Sequence, residues 1–208
     1  MIIYLHGFRS SPQSRKAQSL ERHLQQRGAA ERYQCPALPP SPRAASRLAL
    51  DLAQAAPREQ LALIGSSLGG YYATWIAEKL GCRAVLLNPA IDPAHDLQAH
   101  IGRQPVFFSD DEINFRPEYV EELRELYTSV TRPERYFLIA ATGDTVIDYR
   151  KMLAKYAGAR QHLIDGSNHE LSDFERYVGE VLAFCSPETA AATEKSNERD
   201  SSVRGTVQ

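Results

Sequence analysis

The chain has 208 residues, of which 24% are charged, and its formal net charge at pH 7 is −2. A chain of this length suits one domain with a substantial hydrophobic core, and the balanced charge excludes the basic surface of a nucleic-acid-binding protein. No apolar run approaches the roughly 18 residues that a membrane span needs, so we expect no membrane-spanning segment.

Short apolar strands alternate with longer helical stretches, the pattern of a parallel sheet covered by helices on both faces. Strands are expected at about residues 1–5, 33–36, 61–64, 83–88, 135–141 and 161–164. Helices are expected at about residues 14–27, 43–56, 71–81, 116–130 and 171–184. Right-handed crossovers and a switch in strand order predict the sheet order 2-1-3-4-5-6. The sequence thus predicts a three-layer α/β domain over residues 1–185.

The pattern Gly-x-Ser-x-Gly at residues 65–69 lies between an apolar strand and a helical stretch. This strand–turn–helix setting can hold Ser67 on a strained turn with its hydroxyl clear of the backbone. Glycines flank the serine because a Cβ there would collide with the neighbouring strand or helix. We expect Ser67 to be a nucleophile. The alternative is a serine that merely packs a glycine-rich turn.

A catalytic serine needs a base and an acid that orients the base, here in the chain order serine, acid, histidine. Asp144 and His169 each lie just past the carboxyl end of an apolar strand, the edge where open α/β sheets bind ligands. We expect His169 to act as general base and then acid, and Asp144 to fix its tautomer. Asp148 is the alternative acid, but it precedes a helical stretch and suits an N-cap.

The first strand runs into His6-Gly7-Phe8, a loop of the kind that gives one backbone N–H to a tetrahedral intermediate. The second N–H comes from the residue after the nucleophile. We therefore expect the oxyanion hole at the backbone amides of Phe8 and Leu68. His6 is expected to brace this loop rather than to transfer protons.

His169-Glu170 also begins the zinc pattern H-E-x-x-H, which requires a second histidine at position 173. That residue is Asp173, so the pattern is broken and no metal is expected. A serine–histidine–aspartate relay needs no cofactor, and none is expected either.

Residues 89–134 are too long for an ordinary connection between two strands. Apolar residues recur on one helical face, so this insertion should carry a helix; they are Val120, Leu123, Tyr127 and Val130. We interpret the insertion as a small lid or substrate wall on the carboxyl side of the sheet, the alternative being an inert elaboration. Aromatic side chains could line an acyl pocket or simply pack the core: Phe107, Phe108, Phe115, Tyr71, Tyr72 and Trp75.

Cys35, Cys82 and Cys185 share neither metal-binding nor redox spacing, and their number is odd. Reduced, mostly buried thiols of a cytoplasmic protein are the simplest account. The first strand begins at the second residue, which leaves no room for a signal peptide. Residues 186–208 are polar and lack aromatic side chains, which predicts a disordered tail.

Five stretches resemble an α/β-hydrolase, and more narrowly the YqiA/YcfP group of small bacterial esterases. They are YLHGFRSSPQSRKA, GSSLGGYYATW, LLNPA, TGDTVIDYR and GSNH, and the resemblance runs from residue 3 to about residue 184. It implies hydrolysis of acyl esters and of fatty acyl-CoA thioesters. It also implies that the triad is Ser67, Asp144 and His169.

The sequence therefore predicts a cofactor-free serine esterase that acts on a small acyl ester. An acyl-CoA thioesterase is the first alternative, and a non-catalytic binding protein with an α/β-hydrolase fold is the second. In a thioesterase, basic side chains near the first loops could meet the phosphates of the substrate, although a solvated helix face explains them as well. They are Arg9, Arg15, Lys16 and Arg43.

Overall fold

The computed structural model describes residues 1–107 and 110–186. Its strands are β1 (Ile2–Leu5), β2 (Tyr33–Gln34), β3 (Ala62–Ser66), β4 (Arg83–Leu87), β5 (Gly102–Pro105), β6 (Glu112–Phe115), β7 (Tyr136–Ala141) and β8 (Arg160–Ile164). Its helices are α1 (Arg15–Gln26), α2 (Pro42–Gln54), α3 (Leu68–Leu80), α4 (Pro93–Asp96), α5 (Glu118–Glu125), α6 (Tyr149–Lys155) and α7 (Val178–Phe184). The predicted tail lies, from residue 187 onward, outside the described residues.

Six strands form one parallel sheet in the order β2-β1-β3-β4-β7-β8. Counted among the sheet strands alone, this is the predicted order 2-1-3-4-5-6. The numbers differ because β5 and β6 lie in the insertion, where they pair with each other as an antiparallel hairpin. Since the carboxyl ends of parallel strands share one edge, the loops that follow β1, β3, β4, β7 and β8 gather there.

Three of the four inner strands, β1, β3 and β7, are buried along their whole length, as strands covered on both faces must be. Successive side chains point to opposite faces. Leu63 and Leu138 pack with α2, α3 and α5 on one face, and Ile64 and Ile139 pack with α1 and α7 on the other. The predicted three-layer α/β architecture is confirmed.

Helix ends follow local signals in the sequence. α1 begins after Ser14, whose Oγ accepts the N–H of Ala17 and so satisfies one free donor of the first turn. α3 ends at Gly81, which has a φ of 70° that residues with a Cβ adopt only under strain. Both ends agree with the prediction.

The helix of the insertion is shorter than predicted. We expected it over residues 116–130, whereas α5 covers Glu118–Glu125. Arg116 precedes a proline and is pushed away from helical backbone. Beyond Leu126, the run Thr128-Ser129-Val130-Thr131 consists of weak helix formers. The hairpin of β5 and β6 was not predicted, because its strands are short and half exposed and form no apolar run.

The last helix also begins later than predicted. Leu171 was its expected first residue, but α7 begins at Val178, after a short 3-10 turn over Phe174–Arg176. Leu171 has a φ of 47°, which a right-handed helix excludes. No helix within the described ranges is both long and apolar enough to cross a bilayer.

Candidate active site

Ser67 lies on the tight turn between β3 and α3, with a φ of 53° and a ψ of −121°. A non-glycine residue held in this region is strained, and such strain is common where a side chain must be presented. The neighbours leave no room for larger residues. A Cβ on Gly69 would overlap the carbonyl oxygen of Leu5, and a Cβ on Gly65 would overlap Gly69. The glycines of the motif are therefore required by the close approach of β1, β3 and α3.

The structure brings together the three residues that the sequence predicted for the relay. His169 Nε2 lies 3.1 Å from Ser67 Oγ, and His169 Nδ1 lies 2.7 Å from Asp144 Oδ2. The side chain of Asp144 is fully shielded from solvent, whereas that of His169 is 21% exposed. A carboxylate on Nδ1 holds the proton there, which leaves Nε2 free to accept the proton of the serine hydroxyl.

Both oxygens of Asp144 are held in place. Its Oδ1 accepts the backbone N–H groups of Val146 and Ile147, at 2.8 and 2.9 Å, while Oδ2 faces His169. The competing carboxylate, Asp148, caps α6 by accepting the N–H of Arg150 at 2.9 Å. The geometry thus favours Asp144 over Asp148 as the partner of the histidine.

The two residues predicted for the oxyanion hole, Phe8 and Leu68, directly follow Gly7, which packs against the nucleophile, and the nucleophile itself. Leu68 is the first residue of α3, so its N–H has no carbonyl partner within the helix. On the other side, Gly7 packs so closely that a Cβ on it would lie 3.1 Å from the Cβ of Ser67. Phe8 follows in the same loop. The role of these amides as oxyanion donors stays a prediction.

His6 braces this loop, as predicted. It is 5% exposed, its Nδ1 lies 3.0 Å from the carbonyl oxygen of Gly7, and its Nε2 accepts the N–H of Leu38 at 3.1 Å. Since Nε2 accepts, the single proton is on Nδ1 and the ring is neutral. Burial lowers the pKa of His6, which stabilises the neutral form further.

The loop that carries Phe8 is tied to the hairpin of the insertion. Arg9 donates from Nε to the carbonyl oxygen of Pro105, and the carbonyl oxygen of Arg9 accepts the N–H of Phe107, both at 2.7 Å. The ring of Phe8 packs edge-on against Phe115, with 5.2 Å between ring centroids. These contacts make the hairpin and the candidate oxyanion loop one packed unit.

A cavity of about 330 Å³ opens at Ser67 between α1 and the loop after β8. This size is near the lower end for small-molecule sites. Its apolar wall is formed by Tyr4, Phe8, Phe107, Leu171 and Phe174, and its charged wall by Arg15, Lys16, Arg22, Glu170 and Glu175.

The walls of this cavity were only partly predicted. Of the aromatic side chains considered for an acyl pocket, Phe107 lines the cavity, whereas Tyr71, Tyr72 and Phe115 are buried in the core. Phe108 lies outside the described residues. The wall formed by α1 and the loop after β8 was missed, because these residues are distant in the chain and meet only once the sheet is assembled.

Lys16 is a charged group beside the relay. Its Nζ donates to the carbonyl oxygen of Glu170 at 2.6 Å, which links α1 to the residue after His169. Burial lowers the pKa of Lys16 from its ordinary value of 10.5 to about 8, since a desolvated ammonium is less stable than the neutral amine.

The lowered pKa of Lys16 makes the stability of the fold depend on pH. Between about pH 8 and about pH 10.5 the folded chain binds fewer protons at Lys16 than the unfolded chain does, so its free energy of unfolding rises with pH there. We expect the stability of the wild type, relative to Lys16→Met, to increase by about 1 kcal/mol between about pH 7 and about pH 9. Urea unfolding of both proteins measures this difference, and a constant difference would contradict the prediction.

No group of three or more side chains suited to a metal ion occurs within residues 1–107 and 110–186.

Solved structures share this architecture at low sequence identity. Est1E from Butyrivibrio proteoclasticus, solved with ferulic acid bound, is 15% identical with a TM-score of 0.66, over 93% of this chain and 89% of that chain. Mouse alpha/beta hydrolase domain-containing protein 10 is 16% identical with a TM-score of 0.66, over 89% and 90%. Carboxylesterase CesB from Bacillus subtilis is 15% identical with a TM-score of 0.54, over 88% and 82%.

At these identities the likeness concerns the fold, and it confirms that the chain has an α/β-hydrolase fold. A family profile matches far more specifically. It covers residues 1–186, a range that spans all of the described residues, and its description is "Uncharacterised protein family (UPF0227)". The chain therefore belongs to the UPF0227 family, and its fold is that of an α/β-hydrolase.

Proposed function

We propose that this protein is a serine esterase that hydrolyses small carboxylic esters through an acyl-enzyme. The observation that carries the proposal is the pair of hydrogen bonds at His169, 3.1 Å to Ser67 Oγ and 2.7 Å to Asp144 Oδ2. A strained turn that presents the hydroxyl and a cavity that opens beside it support the same conclusion.

In the proposed reaction, Ser67 Oγ attacks the ester carbonyl carbon while His169 Nε2 accepts the hydroxyl proton. The negative charge on the carbonyl oxygen is stabilised by the N–H groups of Phe8 and Leu68. His169 then donates its proton to the leaving alcohol as the bond to it breaks. A water molecule, deprotonated by His169, attacks the acyl-enzyme, and the carboxylic acid leaves as Ser67 regains its proton.

The dimensions and lining of the cavity favour a short acyl ester. A space of about 330 Å³ with an apolar wall accommodates a small acyl group better than a long chain. Proteins with this fold include a carboxylesterase and an esterase domain, which is consistent with ester chemistry. Three free thiols agree with a cytoplasmic location, which we propose as well.

An acyl-CoA thioester is the second candidate substrate, because Arg15 and Lys16 line the cavity and could attract an anionic leaving group. The other two basic side chains considered for this role are engaged elsewhere. Arg43 binds the carboxylate of Glu125 at 2.7 Å, and Arg9 donates to a backbone carbonyl. We therefore propose oxygen esters as the principal substrates.

A fluorophosphonate probe tests the proposed function directly. It forms a covalent phosphonyl ester with an activated serine hydroxyl and releases fluoride. We expect the folded wild type to be labelled at Ser67, as located by mass spectrometry of its peptides, because His169 removes the hydroxyl proton. Ser67→Ala should not be labelled. Ser46→Ala, which changes a buried serine that donates to a backbone carbonyl in α2, is the matched control and should label normally.

An unlabelled wild type with an intact fold would favour the alternative of a non-catalytic binding protein. Labelling that persists in Ser67→Ala would contradict the choice of nucleophile.

A further inference from the structure

Asn88 directly follows β4 and is completely buried, although its side chain is polar. Its φ of 42° lies in the left-handed region, which asparagine tolerates better than most residues. It is neither a member of the relay nor part of the cavity wall. A buried amide of this kind must satisfy its hydrogen-bonding groups within the protein.

Both ends of the Asn88 amide are used. Its Oδ1 accepts the N–H of Ala141 at 2.9 Å. Its Nδ2 donates to two consecutive carbonyl oxygens, those of Asn168 and His169, each at 3.0 Å. The backbone N–H of Asn88 in turn donates to Ile139 in β7 at 2.9 Å.

These partners belong to the two segments that meet in the relay. Ala141 is the last residue of β7, three residues before Asp144, and His169 is the proposed base itself. One side chain thus connects the strand that leads to the acid with the backbone of the base. Because His169 lies in a loop after β8 rather than in a helix or strand, such contacts determine where its imidazole lies.

The position of this imidazole must be accurate. A hydrogen bond between His169 Nε2 and Ser67 Oγ weakens quickly as the distance grows beyond the observed 3.1 Å. A misplacement of about 1 Å costs roughly 100-fold in rate in well-organised active sites. Lys16 holds the following residue through the carbonyl oxygen of Glu170.

We propose that Asn88 is a positioning residue of the active site, which holds His169 in register with Ser67 and Asp144 through the two donor hydrogens of its amide. This inference rests on the proposed function, since it assigns Asn88 a role in the same reaction. A merely structural role would require only that Asn88 stabilise the fold.

The test compares Asn88→Gly with a matched variant. Glycine adopts a φ of 42° without strain, so Asn88→Gly removes the side chain alone. Tyr136→Phe is the control, because it removes another buried hydrogen bond, 2.6 Å from Tyr136 Oη to Glu78 Oε1, at the opposite end of the sheet. We expect Asn88→Gly to lower kcat roughly 100-fold with KM changed by less than about twofold. Both variants should lower Tm, because each loses buried hydrogen bonds, but Tyr136→Phe should leave kcat unchanged.

A second variant, Asn88→Asp, separates the two ends of the amide. It retains an oxygen that can accept the N–H of Ala141 but replaces the group that donates to Asn168 and His169. If the donor hydrogens position the base, kcat should fall at least as far as in Asn88→Gly. A kcat near that of the wild type would overturn the proposal.

A readout without turnover keeps this inference separate from the proposed function. In the ¹H NMR spectrum of protein with ¹⁵N-labelled histidine, the proton on Nδ1 of His169 should give a downfield resonance because it is hydrogen-bonded to Asp144. We expect this resonance to be lost in Asn88→Gly and kept in Tyr136→Phe. An unchanged resonance, together with an unchanged kcat, would refute the role of Asn88. A wild type that neither hydrolyses esters nor reacts with fluorophosphonate would refute the function, and the resonance would still decide on Asn88.

Discussion

Ser67→Ala is expected to lower kcat for a short p-nitrophenyl ester by about 10⁶-fold, leaving only the residual catalysis that substrate binding and the oxyanion donors provide. The variant removes the attacking oxygen, and the imidazole 3.1 Å away then has no hydroxyl to activate. Alanine has the same backbone preferences as serine at a φ of 53°, so the strain of the turn is unchanged. Initial rates of p-nitrophenol release measure the effect.

The control for Ser67→Ala is its thermal stability. Its Tm should lie within a few degrees of the wild-type value, because the replaced hydroxyl is at the surface of a cavity rather than in the core. A folded Ser67→Ala protein with wild-type turnover would show that another group is the nucleophile.

Asp144→Asn is expected to lower kcat by about 10⁴-fold with little effect on the fold. The amide of asparagine can donate to Nδ1 of His169, which would put the ring proton on Nε2. That nitrogen could then no longer accept the proton of Ser67. The carbonyl oxygen of the amide can still accept the N–H groups of Val146 and Ile147, so the loop should keep its conformation.

Asp148→Asn is the matched control, since it changes the neighbouring carboxylate in the same way. Asparagine is as good an N-cap as aspartate, so α6 should remain stable. We expect kcat to stay within about twofold of the wild type. Equal losses in Asp144→Asn and Asp148→Asn would show that the charge of the loop, rather than the tautomer of His169, determines the rate.

The sheet and the relay could be predicted because each rests on a local signal. The sharp turn from β3 into α3 leaves no space for a Cβ at Gly65 or Gly69, so both positions require glycine, and Ser67 lies between them. Asp144 and His169 follow apolar strands, and parallel strands bring their carboxyl ends to one edge whatever the details of packing.

The parts that were missed depend on contacts between distant residues. The hairpin of β5 and β6 forms through cross-strand pairing and through packing on the first loop, and neither leaves an apolar pattern in the sequence. Asn88 was contained in the stretch LLNPA, but its side chain was not singled out. A polar residue that ends a buried apolar strand and precedes a proline was the available signal. Its partners at residues 141, 168 and 169 could not be read from it.

The attachment of the hairpin to the loop of Arg9 limits how the insertion can move. If β5 and β6 moved aside to admit a bulky ester, the hydrogen bonds of Arg9 to Pro105 and Phe107 would either break or move Phe8 with the hairpin. The entrance and the stabilisation of the developing charge would then change together. Relatives with a remodelled hairpin should accordingly differ in turnover as well as in the esters that they admit.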